Sequence, residues 1–109
     1  MKKSWCYIIG KVGELDDDRY YEMVCLKFAN RKHELEALGY VVINPMEIVP
    51  RGTSWNRAMR MCINAMLQCS YVSPLSDYTE SRGGMIEIEL AKKLDLIIVS
   101  PSKMNEVNE

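Results

Sequence analysis

Four short apolar runs recur along the chain, with helix-length stretches between them. They are Trp5-Cys6-Tyr7-Ile8-Ile9, Tyr40-Val41-Val42-Ile43, Tyr71-Val72-Ser73-Pro74-Leu75 and Leu96-Ile97-Ile98-Val99. Runs this short and rich in β-branched and aromatic residues read as buried strands. Between the first two, Val24, Phe28, Leu35 and Leu38 mark one stripe of a helix from about Arg19, with Arg31 as its charged member and Gly39 as its stop. Thr53 or Ser54 caps a second helix, Trp55 to about Cys69, and Ser81 opens a third that reaches Leu94. Met46 to Thr53 reads as a loop. Strand and helix alternate throughout, so right-handed crossovers dictate a parallel sheet with helices on both faces. The expected fold is an α/β, three-layer, flavodoxin-like or Rossmann-like sandwich with four parallel strands in order 2-1-3-4. One such domain fills residues 1–100, and 101–109 form a polar tail.

Composition narrows the partners. A net charge of −1 argues against a nucleic-acid polymer as ligand. No apolar run is long enough to span a bilayer. The basic start Met1-Lys2-Lys3 is followed by an apolar segment that stops at Gly10-Lys11, too short for a secretory signal, so the expected compartment is cytoplasmic. Cys6, Cys25, Cys62 and Cys69 lack metal-ligand spacing, and His33 is the single histidine. Buried thiols, no metal and no cofactor are the expectation. Asp16-Asp17-Asp18 starts a helix rather than holding an ion, because consecutive residues do not converge on one cation without a special loop.

In parallel sheets, ligands sit beyond the C-terminal strand ends, where the strand order reverses. With order 2-1-3-4 that point lies between strands one and three. Two loops meet there: Gly10-Lys11-Val12-Gly13, and the polar stretch Ser76 to Ser81. Behind the second lies Ser81-Arg82-Gly83-Gly84-Met85-Ile86-Glu87-Ile88-Glu89-Leu90-Ala91. Ser81 can cap the helix, and Gly83 and Gly84 clear side chains from its first turn. At 3.6 residues per turn, Gly84, Glu87, Ile88 and Ala91 share the inward stripe, while Glu89 falls with Arg82 and Lys93. An inward carboxylate is costly unless hydrogen-bonded or used. The plain alternative is that Glu87 only complements the helix dipole and reaches a neighbouring donor.

These residues resemble the nucleoside 2-deoxyribosyltransferase-like family, in particular a short, phage-associated branch. The resemblance runs through Tyr7-Ile8-Ile9-Gly10, Phe28, Gly39, Val42-Ile43-Asn44-Pro45, Trp55, Met59-Arg60, Ser81-Arg82-Gly83-Gly84 and Glu87 followed by Leu90-Ala91. It implies Glu87 as the nucleophile on the anomeric carbon of a nucleoside or nucleotide, with Tyr7 orienting it. It implies contacts to the ligand from Gly10, Gly13, Asp77, Tyr78, Ser81, Gly83 and Gly84. A carboxylate that captures an oxocarbenium-like centre, with an acid for the leaving base, is the general logic of such transfer.

The chain departs from that pattern at its acids. Cys62 stands where the family often has aspartate in Met-Arg-x-Asp, and Ser70 where it has Cys-Asp. Tyr78 replaces a common tryptophan, and Ser81 aligns with an acid of some active members. Asp77 and Glu80 remain as possible proton donors. Three readings follow: a slow N-glycosidic-bond-cleaving or deoxyribosyl-transferring enzyme, a non-catalytic nucleotide-binding module, or a structural homo-oligomer. The second helix, apolar on most of its circumference, suggests a homodimer with that helix at the contact.

Overall fold

The computed structural model describes residues 4–13 and 15–99, so the expected polar tail lies outside the described residues. Within them the order is β1 (Trp5–Ile9), α1 (Asp18–Ala37), β2 (Val41–Ile43), α2 (Pro45–Ile48), α3 (Trp55–Met66), β3 (Tyr71–Pro74), a 3₁₀ turn (Tyr78–Glu80), α4 (Arg82–Lys93) and β4 (Ile97–Ile98). The sheet is all parallel, in order β2-β1-β3-β4. The α/β class, strand order and parallel sense expected from the sequence all hold. Among the described residues, no helix is long and apolar enough to cross a membrane.

Local signals set the elements. Asp17 caps α1 by accepting from the Arg19 N–H at 2.9 Å, so the acidic triplet starts a helix as its pattern implied. Gly39, at φ +99°, follows that helix, a conformation glycine adopts freely. The stretch read as a loop from Met46 contains α2 instead. Asn44 accepts from the Met46 N–H and Pro45 occupies the first turn, so the pair that ends β2 also nucleates one turn of helix. At its other end α3 stops at Met66, short of Cys69. There the Gln68 and Cys69 N–H groups turn back onto the carbonyls of Ala65 and Met66.

Two apolar layers hold the sheet. On one face Tyr7, Ile9 and Val72 pack with Cys62 and Met66 of α3 and with Ile88 and Ala91 of α4. On the other, Cys6, Ile8 and Val42 pack with Val24, Phe28 and Leu35 of α1. Alternating β1 residues therefore feed opposite cores, which places Tyr7 on the α3–α4 side. The α3 helix proves amphipathic: Asn56, Arg57, Arg60 and Asn64 face outward, and Cys62 and Met66 face the sheet. Its methionines are spent on the core and the flanks rather than on an all-round apolar surface.

Candidate active site

The C-terminal end of β1 and the loop after it, the α2–α3 segment and the start of α4 enclose a cavity of about 600 Å³. That volume suits a small organic ligand. Its floor is a carboxylate. Glu87 lies one turn inside α4 and is only 5% exposed. The Tyr7 hydroxyl donates to Glu87 Oε2 at 3.0 Å across the sheet–helix boundary. Cys62 of α3 completes the cluster, its thiol within hydrogen-bonding reach of the Tyr7 hydroxyl. Tyr7, Cys62 and Glu87 all line the cavity.

The electrostatics follow from burial. Desolvation pushes the Glu87 carboxyl up to about 7, with the Tyr7 hydrogen bond pulling against it. Burial, and then the neighbouring Glu87 charge, carries the Tyr7 phenol well above its usual range, so Tyr7 acts as a neutral donor. Burial raises the Cys62 thiol to about 11, which keeps it protonated near neutral pH. The site thus holds one group that changes charge near pH 7, oriented by one fixed phenol. Glu89 is exposed on the outer face of α4, as the helical phase requires.

Ser81 caps α4 by accepting from the Gly84 N–H at 3.0 Å. Gly83 and Gly84 are buried and line the cavity. Their missing side chains also serve packing. A Cβ on Gly83 would meet Met59 Sδ at 2.8 Å, and one on Gly84 would meet the Tyr78 carbonyl at 3.0 Å. Gly10 lines the cavity, yet its bare face is filled by Leu75, which a Cβ would meet at 2.5 Å. Gly13, at φ +69°, needs the left-handed conformation, and the Tyr20 hydroxyl closes its open side. These glycines permit close packing as much as ligand approach.

Two residues expected at the ligand are placed elsewhere. Asp77 accepts from the Lys11 N–H at 3.1 Å and from the Lys27 ammonium at 2.6 Å, and Lys27 also donates to the Lys11 carbonyl. Burial acts to raise the Asp77 carboxyl, but those hydrogen bonds outweigh it and hold the group below its usual range. Asp77 therefore ties down the loop after β1 and lines a groove on the α1 side instead of the cavity. Tyr78 packs against the α3–α4 core. Ser70 is also remote, standing just before β3 at the sheet end opposite the cavity, where its N–H bonds the Trp5 carbonyl. Of the three positions read as lost acids, Cys62 and Ser81 border the cavity and Ser70 does not.

The cavity also holds Glu80, already read as a possible proton donor, and groups that the sequence pattern did not place at the ligand. Asp16 and Glu80 line it, Glu80 paired with Lys11 at 3.3 Å. Trp55 and Arg82 form one wall, the guanidinium 4.2 Å from the indole. Arg51 clasps the rim by bonding the Leu15 carbonyl, pairing with Asp18 at 2.9 Å and stacking 4.3 Å from the Tyr21 ring. Spacing gave no signal for these, because they come from four separate loops and helix starts. Among the described residues no cluster of three metal-ligating side chains occurs.

The profile of one family, described as Domain of unknown function (DUF4406), matches residues 5–100. The chain belongs to that family. No curated protein and no solved structure matches it. The matched span covers every strand and helix that frames the cavity, so the whole site belongs to the DUF4406 domain.

Asp77 gives a first test of the DUF4406 loop arrangement. Asp77→Asn removes the ion pair with Lys27 while keeping an acceptor for the Lys11 N–H. A partly solvated pair of this kind is worth about 1 kcal/mol. The depressed carboxyl contributes stability above the unfolded-state value and loses it as pH falls through the folded value. Urea melts at pH 7 should place the variant about 1 kcal/mol below wild type, and the gap should close in acid. An unchanged midpoint at pH 7 would show that Asp77 does not hold the loop.

Proposed function

We propose that this domain binds a nucleoside or nucleotide and cleaves or transfers its N-glycosidic bond, with Glu87 as nucleophile. The observation that carries this reading is the buried Glu87 carboxylate on the cavity floor, held by the Tyr7 hydroxyl at 3.0 Å. The Glu87 carboxylate attacks the anomeric carbon as the bond to the base breaks, and the leaving base takes the bonding pair. The resulting ester between Glu87 and the sugar is then opened by water or by a second base. Tyr7 holds the attacking oxygen in line and stabilises its charge before attack. The apolar surroundings of Glu87 favour the charge-dispersed transition state over the compact carboxylate.

Glu80 and Asp16 are the other carboxyls that line the cavity, and Glu80, a residue of the loop before α4, is assigned to protonate the leaving base, while Asp77 is held outside by Lys27. Glu80 is already engaged by Lys11 at 3.3 Å, so the acid step is the weak part of the site. The expected behaviour is firm ligand binding with slow turnover.

A panel of ribo- and deoxyribonucleosides and their 5′-monophosphates, incubated with the protein and assayed for free base, tests the reading. Base release by wild type but not by Glu87→Gln is expected. Release that survives Glu87→Gln rejects it. The second reading, a non-catalytic nucleotide-binding module, is favoured by Cys62 at the position facing the carboxylate. It requires the same panel to bind with no base released.

A further inference from the structure

The turn between α2 and α3 carries a side chain across the cavity. Pro50, Arg51, Gly52 and Thr53 form that turn. The Thr53 N–H returns to the Pro50 carbonyl at 3.2 Å, and the Thr53 hydroxyl donates to the same oxygen at 2.6 Å. Gly52, at φ +93°, takes the one position that needs the left-handed conformation, which leaves Arg51 at the tip. From there Arg51 reaches the opposite bank. Its Nε donates to the Leu15 carbonyl at 2.8 Å, its Nη1 pairs with Asp18 at 2.9 Å, and its guanidinium lies 4.3 Å from the centre of the Tyr21 ring. Both banks line the cavity: Leu15, Asp16 and Tyr21 on one side, Val49, Pro50 and Thr53 on the other.

We propose that Arg51 is a strap over the cavity, closed in this structure, and that its release opens the way to Cys62 and Glu87. Its contacts suit a strap better than a permanent tie. They face solvent: the Asp18 side chain is 85% exposed and that of Arg51 is 35% exposed. Exposed contacts of this kind are individually weak, so parting them costs little. The tip also has room to move. Pro50, Arg51 and Gly52 are exposed, and among the described residues no atom lies within 4 Å of where a Gly52 Cβ would stand. Segments with few buried contacts and solvent-facing hydrogen bonds open first. The cavity floor is the opposite case, with Tyr7 and Glu87 buried and joined at 3.0 Å. The strap governs entry whatever the cavity holds, so it does not depend on the proposed reaction.

Cys62 reports on the strap, because it lines the cavity and is only 8% exposed. The test is the rate at which iodoacetamide alkylates each cysteine of the full chain, read by peptide mass, for wild type, Arg51→Ala and Arg51→Lys. Cys6 and Cys69 are buried away from the cavity lining and serve as controls for general loosening of the fold. The expected result is alkylation of Cys62 at least about fivefold faster in Arg51→Ala, as a minor open state becomes the major one, with Cys6 and Cys69 unchanged. Arg51→Lys should fall between, since it keeps the charge and loses the planar fork. Equal Cys62 rates in wild type and Arg51→Ala overturn the proposal. A parallel rise at Cys62, Cys6 and Cys69 also overturns it, because Arg51 then holds the whole fold rather than the cavity entrance.

Discussion

Replacing Glu87 by glutamine should make the protein more stable and inactive at once. The folded-state carboxyl is raised to about 7 from an ordinary 4.5, so the native state holds its proton more tightly than the unfolded chain does. Stability from that protonated group is fully present below about pH 4.5 and is lost as pH rises through 7. At pH 8 the penalty amounts to about 3 kcal/mol, because each tenfold difference in proton affinity is worth about 1.4 kcal/mol. Glutamine carries no charge to desolvate and can still accept from the Tyr7 hydroxyl. Glu87→Gln should therefore melt about 10 °C or more above wild type at pH 8, and alongside it near pH 4.5. In the proposed reaction the same ionisation governs chemistry. Only the carboxylate attacks, so kcat/KM should climb about tenfold per pH unit below 7 and level off above it. In the variant, turnover should fall on the order of 10⁴-fold. Equal melting of the two proteins at pH 8 would mean that Glu87 is not desolvated as described.

Cys62→Asp should act in the opposite sense on rate. The Cys62 thiol stays protonated up to about pH 11, so it is a poor acid for a departing base. A carboxyl at that position would lie in the same buried cluster as Glu87 and Tyr7. Two carboxyls so close share a proton, because both cannot ionise at low cost. One is then the nucleophile and the other the proton donor. General acid assistance is worth on the order of 10²–10⁴-fold, and kcat should rise within that range while ligand affinity changes little. The cost is stability at alkaline pH, where a second buried carboxyl must ionise. Adding Ser70→Asp should bring no further gain, since Ser70 lies at the far end of the sheet. A Cys62→Asp protein with wild-type kcat and unchanged pH profile would show that proton donation does not limit the reaction.

Much of this was legible in the chain. The four apolar runs and the glycine and proline stops between them led to the right strands and strand order. The 3.6-residue phase of the last helix separated Glu87 from Glu89 correctly, because one side of that helix must face a sheet. Other features could not be read along one dimension. Asp77 stands in the loop at the ligand end of the sheet, but Lys27, fifty residues earlier in the chain, turns it toward α1. The glycines implied open space, yet other side chains fill it: Leu75 and Met59 from distant parts of the chain, and Tyr20 from the next helix. The second helix suggested an interface through its methionines. The structure turns Met66 into the core and leaves arginine and asparagine outside. The Trp55–Arg82 wall and the Arg51 clasp join segments that no spacing rule connects.

The most direct measurement is the mass of the protein during turnover of a 2-deoxy-2-fluoro nucleoside or its 5′-monophosphate. Fluorine beside the anomeric carbon destabilises the oxocarbenium-like transition state and slows breakdown of a sugar ester. The account predicts free base in the supernatant and one sugar added to the protein, on the peptide that carries Glu87. Glu87→Gln should take up no sugar. A label on any other residue, or base released at the wild-type rate by Glu87→Gln, would contradict it.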